Sequence, residues 1–543
     1  MTWFQNYDPF GFWPLSTLMA ALPIITLFVA LIMFKKSVWV SASIGLIVAA
    51  VIALFILKMP LPLMILSAAD GFFFGFLEIA WIIICTIFTY NIAVETGQFK
   101  VMKESIASVS SDQRIQVILI AFCFGAFLEG ACGGGAPVAI AGSFLIGMGF
   151  KPIQAAVVCL LANTAPVAWG AVGSPIRILT AVTDIPEYYF SATIGRILPI
   201  FSFFLPIIIM LIITNRKQTK EVLPALLFTG AMFGGMQFFW SNYVETGLVD
   251  IVSGLFALVM LVIFLKFWSP KNISVAGNEH SDIIAIKHST IKVMKAWSPF
   301  ILISIFIFIW SIPWIHKLLS FENLKVEIPL LNLGVVRMPP IVNEAVHEKA
   351  IINLNFLSLS GTAVFVGAIM SAMILGISLK RSVSIFEKTI KDLIPSILAI
   401  SLMVSLGFVT RYAGLDAILG LSLTRTGFLF PLFGTLLGWV GVGLSGTDGG
   451  SNALFGNLQK MTAEQLGINP VLMGSANSAG GVMGKMISPQ SIVVSSAATG
   501  TQGMEGIIFK KLFKYSILFA FLVGLVVMMY AYVFPDAIPV FIK

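Results

Sequence analysis

Two carboxylates stand where glycine breaks an otherwise apolar chain. Glu129 lies in "FLEGACGGGAPVAI" (127–140) and Asp448 in "GLSGTDGGSNALF" (443–455). A carboxyl in such surroundings costs several kcal/mol unless it is protonated or paired. Desolvation favours its protonated form, which is what a proton carrier needs. Either acid could instead cap a broken helix, but ionisable groups within membrane spans are functional by default, which favours the proton. Downstream of each acid comes a second interruption, "NTAPVAWGAVGSP" (163–175) and "NSAGGVMGKMISP" (477–489). In both, the asparagine precedes the serine of Ser-Pro by 11 positions and a shared glycine by 7. Asn163, Thr164, Ser174, Asn477, Ser478, Ser488 and Gln490, with Ser451 and Asn452, are short polar groups able to hydrogen-bond a small carboxylate or hydroxyl. Gly133 and Gly134 complete the candidate binding set by leaving backbone open to a ligand. Lys485, inside the last interruption, is the counter-charge for a substrate carboxylate or for an acid. Arg177 is either a second such cation or a side chain that snorkels to the surface. Glu78 in "FLEIAW" is a further acid, read as structurally paired.

The elements that must position these residues are membrane helices. The chain has 543 residues, 58% hydrophobic and 11% charged, and no soluble fold could hide that much apolar surface. Runs at 15–34, 38–57, 72–89, 197–214, 251–267, 300–314 and 515–533 approach or exceed what a hydrocarbon core of about 30 Å requires. With shorter and interrupted segments there are about 12 crossings of roughly 20 residues each. The start "MTWFQNYDPF" lacks a basic region and a small-residue cleavage site, so the first run is expected to be retained. The net charge of +8 resides in basic loops, as the positive-inside rule requires, with no basic face for nucleic acid. Cys85, Cys123, Cys132 and Cys159 lie in apolar stretches and read as small buried hydrophobes. His280, His288, His316 and His347 fall in expected loops, so carboxylates must carry any proton coupling.

The basic stretches 35–36, 100–114, 216–220, 266–295, 380–391 and 510–514 are the cytoplasmic candidates. Placing them inside puts the N-terminus outside and gives the two halves opposite orientations, as in inverted-repeat transporters. Residues 1–220 form the first repeat, 221–296 a connecting helix pair and loop, and 297–543 the second repeat. The expected class is an all-α polytopic membrane protein with two inverted repeats and broken helices. Glycines and prolines end helices partway through the bilayer, where free backbone groups are tolerated only in an enclosed cavity. Four such breaks in two matched pairs bring half-helix tips together near the midplane, at a binding site. A membrane enzyme would need cofactor ligands within spans; the sequence has no histidine pair, haem-type motif or cysteine cluster. No catalytic residue, cofactor or metal site is therefore expected. A passive channel fits the buried acids less well than alternating access does.

Several motifs resemble the bacterial L-lactate permease family. They are "NYDPFG", "TGQF", "DQRIQ", "FCFGAFLEG", "GAPVAI", "NTAPVAWG", "RMPP", "SNALF" and "GKMISPQSI", in order from about Asn6 to the last span. The resemblance implies a proton-coupled importer of lactate, and often glycolate, in the bacterial inner membrane. It also implies the hairpins, broken helices and elevator movement of the ion-transporter superfamily. The expected partners are the small acid, protons and the lipid bilayer, with a homodimer left open. A sodium-coupled carrier of another small organic anion is the alternative. The sequence departs from the family's pattern at Gly134, where an aromatic is usual, at "TDGGSN", where "SDTSSN" is usual, and at Glu78, an expected apolar position.

Overall fold

The computed structural model describes residues 2–133, 135–272, 288–321 and 324–541. Gly134 and His280, both singled out above, lie outside the described residues. Among those described, eleven helices are long and apolar enough to cross a bilayer. The count is twelve if the bent pair Pro152–Ala162 and Val167–Thr183 is one span. The expected apolar runs lie within Trp13–Ile32, Val38–Ile56, Leu61–Glu95, Glu187–Ile213, Val249–Phe267, Thr290–Ser311 and Glu505–Tyr532, give or take their ends. The run at 300–314 stops at Ser311, because Pro313 opens a separate short helix, Pro313–Leu319. The basic stretch 380–391, expected as a loop, forms the first turns of the 35-residue helix Leu379–Ala413. Its lysines, arginine and glutamate are strong helix formers, so the helix runs on beyond its apolar part.

Burial sorts these helices. In Gln113–Cys132, 94% of the apolar window is enclosed by protein, against 28–56% in the other candidate spans. The helix that carries Glu129 is therefore central, and its polar groups face protein rather than lipid tails. Around it packs one core, built from Pro152–Ala162, the helices between Glu187 and Phe267, Pro470–Lys485 and Glu505–Tyr532. A second core joins the first two helices to the end of Leu379–Ala413 and to the middle of Asp448–Leu466. Helices Phe430–Ser445 and Pro470–Lys485 meet glycine to backbone: a Cβ on Gly438 would overlap the Asn477 main chain, and one on Gly480 the Thr435 carbonyl. Small residues of this kind let membrane helices approach closely, where lipid supplies no hydrophobic drive for association.

One end of the bundle carries short strands, His347 among them, where the sequence predicts loop. Trp3–Phe4 runs parallel to Val335–Arg337, which pairs antiparallel with Val346–His347. Lys325–Glu327 pairs antiparallel with Ile351–Asn353. Beneath these strands Arg411, almost fully buried, donates to Glu348 at 3.0 Å and to the Ala181 carbonyl at 3.2 Å, and also pairs with Asp184. Lys460 donates to the Thr183 carbonyl at 2.7 Å. These bonds fasten the end of helix Gly170–Thr183, which bears the first half's second break, to both Leu379–Ala413 and Asp448–Leu466. Glu348 also pairs with Arg337. Burial works against its charge, yet Arg411 and Arg337 hold its carboxyl below the usual range. At the opposite end Arg114, expected in a basic loop, is buried and paired with Asp112 at 2.7 Å and Glu221 at 2.9 Å.

Candidate functional site

The first break is made by Gly133. Helix Gly125–Cys132 ends there at φ 61°, ψ −158°, a conformation open to glycine and costly for a residue with a Cβ. The chain restarts as Ala136–Gly147, returns through Pro152–Ala162, and leaves that helix at Asn163. Three successive residues, Ala171, Val172 and Gly173, then take left-handed conformations (φ 45°, 56° and 75°) before helix resumes at Ser174-Pro175. Two of them carry a Cβ, and strain of this kind persists only where the surroundings over-determine it. Ala171 reaches the first break: its Cβ lies 2.8 Å from where a Cβ on Gly133 would stand. The two tips of the first half touch.

In the second half, Phe430–Ser445 ends at left-handed Gly446, and Thr447 caps the next helix, Asp448–Leu466, by accepting the Gly450 N–H at 3.1 Å. Asp448 accepts from Ser478 at 2.5 Å and from Asn452 at 3.3 Å. Asn477 donates to Asn452 Oδ1 at 2.9 Å and to Ser451 at 3.3 Å. Asn452 in turn donates to the Pro175 carbonyl at 3.1 Å, so the network crosses to the first half. Lys485, at the end of Pro470–Lys485, donates to the Gly446 carbonyl at 2.7 Å. Ser488 caps Pro489–Thr499. The two matched stretches agree at their Ser-Pro ends, where each starts a helix. They differ upstream, because Asn163 closes a helix while Asn477 sits inside one.

A cavity of about 370 Å³ opens between these tips. Of the residues expected at the site, Glu129, Gly133, Ser174, Asp448, Lys485 and Gln490 line it. Ser451, Asn452, Asn477, Ser478 and Ser488 stand behind the wall and orient it through the bonds above. Thr164 faces elsewhere, into a separate apolar cavity beside Leu198 and Phe519. Asn163 is buried beside Glu129, and its amide meets the Glu129 carboxyl. Arg177 is not at this site. It lies in a polar cavity of about 610 Å³ near the strands, with Glu78, and is ion-paired to Glu187 at 3.6 Å and Glu245 at 3.7 Å. Sequence reasoning missed Thr447, whose signal was its place before an acid and two glycines. It also missed the wall formed by Ser396, Met403 and Val404 of Leu379–Ala413, which carries no local signal at all.

Lys485 is the cation of this cavity, and both Glu129 and Asp448 act on it electrostatically. The start of Asp448–Leu466 and the restart at Ser174-Pro175 also face the cavity, adding the positive ends of two helices. A cation and two helix N-termini favour an anion, while two carboxyls beside them suit a proton. An aliphatic wall that includes Ile79, Ile83, Ile178 and Leu393 suits a compact, partly apolar molecule.

Comparison with known proteins agrees in kind. Residues 16–534 match the family model described as L-lactate permease. The chain belongs to the L-lactate permease family. Among the relatives of this permease-family chain, the glycolate permease GlcA of Escherichia coli K12 is 42% identical, with 98% of this chain and 99% of that one covered. An L-lactate permease of Salmonella typhi is 41% identical over 99% of this chain and 100% of its own length. That of Bacillus subtilis 168 is 38% identical, with the same coverage. Its relatives are thus permeases rather than enzymes. Among solved structures, the Alcanivorax borkumensis YdaH transporter aligns at TM-score 0.45 and 13% identity, covering 85% of this chain and 86% of the other.

Proposed function

We propose that this permease-family protein imports L-lactate, with D-lactate and glycolate as further substrates, by proton symport. The relatives named L-lactate permease and glycolate permease support the substrate class. The observation that carries the coupling is that Lys485 lines one cavity with two acids, Glu129 and Asp448, that act on it electrostatically. Lys485 and the helix ends hold the substrate carboxylate, and one of the two acids takes the proton. The energetics favour this arrangement, since an inside-negative potential opposes entry of a lone anion by about 2.3 kcal/mol per 100 mV. A proton carried with it makes the step electroneutral. Alternating access between inverted repeats, in the elevator form the family resemblance implies, presents the cavity to either side in turn. The same reading puts the protein in the bacterial inner membrane, with its N-terminus outside.

The test is uptake of labelled lactate into proteoliposomes under separately imposed proton and sodium gradients. Accumulation on the proton gradient is expected. Accumulation on sodium alone would establish the sodium-coupled alternative and overturn proton symport.

A further inference from the structure

We propose that Asp250 and Glu129 form one proton-binding site, sharing a single proton between their carboxyl groups beside the amide of Asn163. The proposal rests on the proton-symport reading and names a residue which that reading does not use. Asp250 is in the first turn of helix Val249–Phe267 and is wholly buried, its carboxyl faced by the Gln237 amide and the Trp169 backbone and acted on electrostatically by Glu129. It is pressed against the turn that carries Glu129. A Cβ on Gly130 would stand 2.7 Å from the Ile251 nitrogen and 2.8 Å from the Asp250 Cβ. One turn along, a Cβ on Gly254 would stand 2.6 Å from the Phe127 nitrogen. A glycine on each helix lets the two approach this closely. The segment Trp169-Gly170 closes the site from the other side: the Trp169 backbone faces Asp250, and a Cβ on Gly170 would lie 2.9 Å from Glu129 Oε1.

The neutral groups that meet the two acids are the amide of Asn163 at Glu129 and that of Gln237 at Asp250. Buried acids are ordinarily paired with a cation or protonated, so two that act on each other in the protein interior mark a place where a proton binds. Two buried carboxyls that act on each other do not readily both stay ionised, and a shared proton is the smallest ligand that resolves the conflict. The groups around them are few. Helix Gly125–Cys132 brings Glu129 and the Cys132 thiol, and Arg216–Tyr243 brings the neutral amide of Gln237. Pro470–Lys485 brings Lys485 to Glu129. With one proton bound, the pair carries a single negative charge opposite that lysine. Binding forms one O–H bond with a proton from water on one side, and release breaks it to water on the other.

The test compares wild type with Asp250→Asn in proteoliposomes, measuring lactate counterflow at equal pH and accumulation driven by an alkaline interior. The variant is expected to exchange lactate but to lose accumulation. Accumulation at the wild-type level would overturn the proposal. If exchange is lost as well, Asp250→Glu decides: recovered accumulation supports the shared carboxyl, and inactivity in both variants overturns it. Wild type failing to accumulate on a pH gradient would instead overturn the symport reading itself.

Discussion

Asn452 Nδ2 stands 3.1 Å from the carbonyl of Pro175, so one amide joins the break of the second half to that of the first. The same amide accepts from Asn477 at 2.9 Å and donates to Asp448 at 3.3 Å. Asn452→Ala leaves those buried groups short of partners at a cost of about 1–3 kcal/mol. The expected outcome is a lower melting temperature in detergent together with weaker lactate binding. An unchanged melting curve would show that the halves are held by other contacts.

Lys485 contributes the charge that an anion meets in the cavity. Replacing it by Met keeps the length of the side chain and removes the ammonium. A hydrogen bond to a charged group is worth about 1.5–3 kcal/mol, so lactate affinity should fall roughly 10- to 100-fold. Equilibrium binding to the purified protein checks this, and wild-type affinity would move the substrate away from Lys485.

Glu129→Gln and Asp448→Asn separate the two acids at the breaks. The variant that removes the coupling group should lose accumulation driven by a pH gradient while still exchanging lactate. The other should keep both. If both variants accumulate lactate as wild type does, neither acid carries the proton.

Glu348, among the strands at one end of the bundle, gives a stability prediction with a definite sign. Its carboxyl is held below the ordinary value of 4.5 in the folded protein. It therefore contributes stability above about pH 4.5, and that contribution is lost as the pH falls through its lower folded value. Thermal melts should show wild type losing stability more steeply below pH 4.5 than Glu348→Gln, the two curves converging in acid. Parallel curves would mean that Arg411 and Arg337 do not depend on this charge.

The membrane class, most of the spans, the breaks and the two acids beside them were legible in the sequence, because each rests on local chemistry. A bilayer demands about 20 apolar residues per crossing, and Gly133, Gly446 and the two Ser-Pro pairs interrupt helices wherever the chain folds. Tertiary structure decided which polar groups share a space. Arg177 and Lys485 looked alike as cations beside matched breaks. Packing sent Arg177 to Glu187 and Glu245, and Lys485 to a cavity between Glu129 and Asp448. Asp250 had no local signal beyond being an acid that opens an apolar helix. It joins Glu129 because Gly130 and Gly254 let two helices, distant in sequence, pack closely. Spacing along a chain specifies a helix and its ends, but which face meets which neighbour follows from how all the helices pack together.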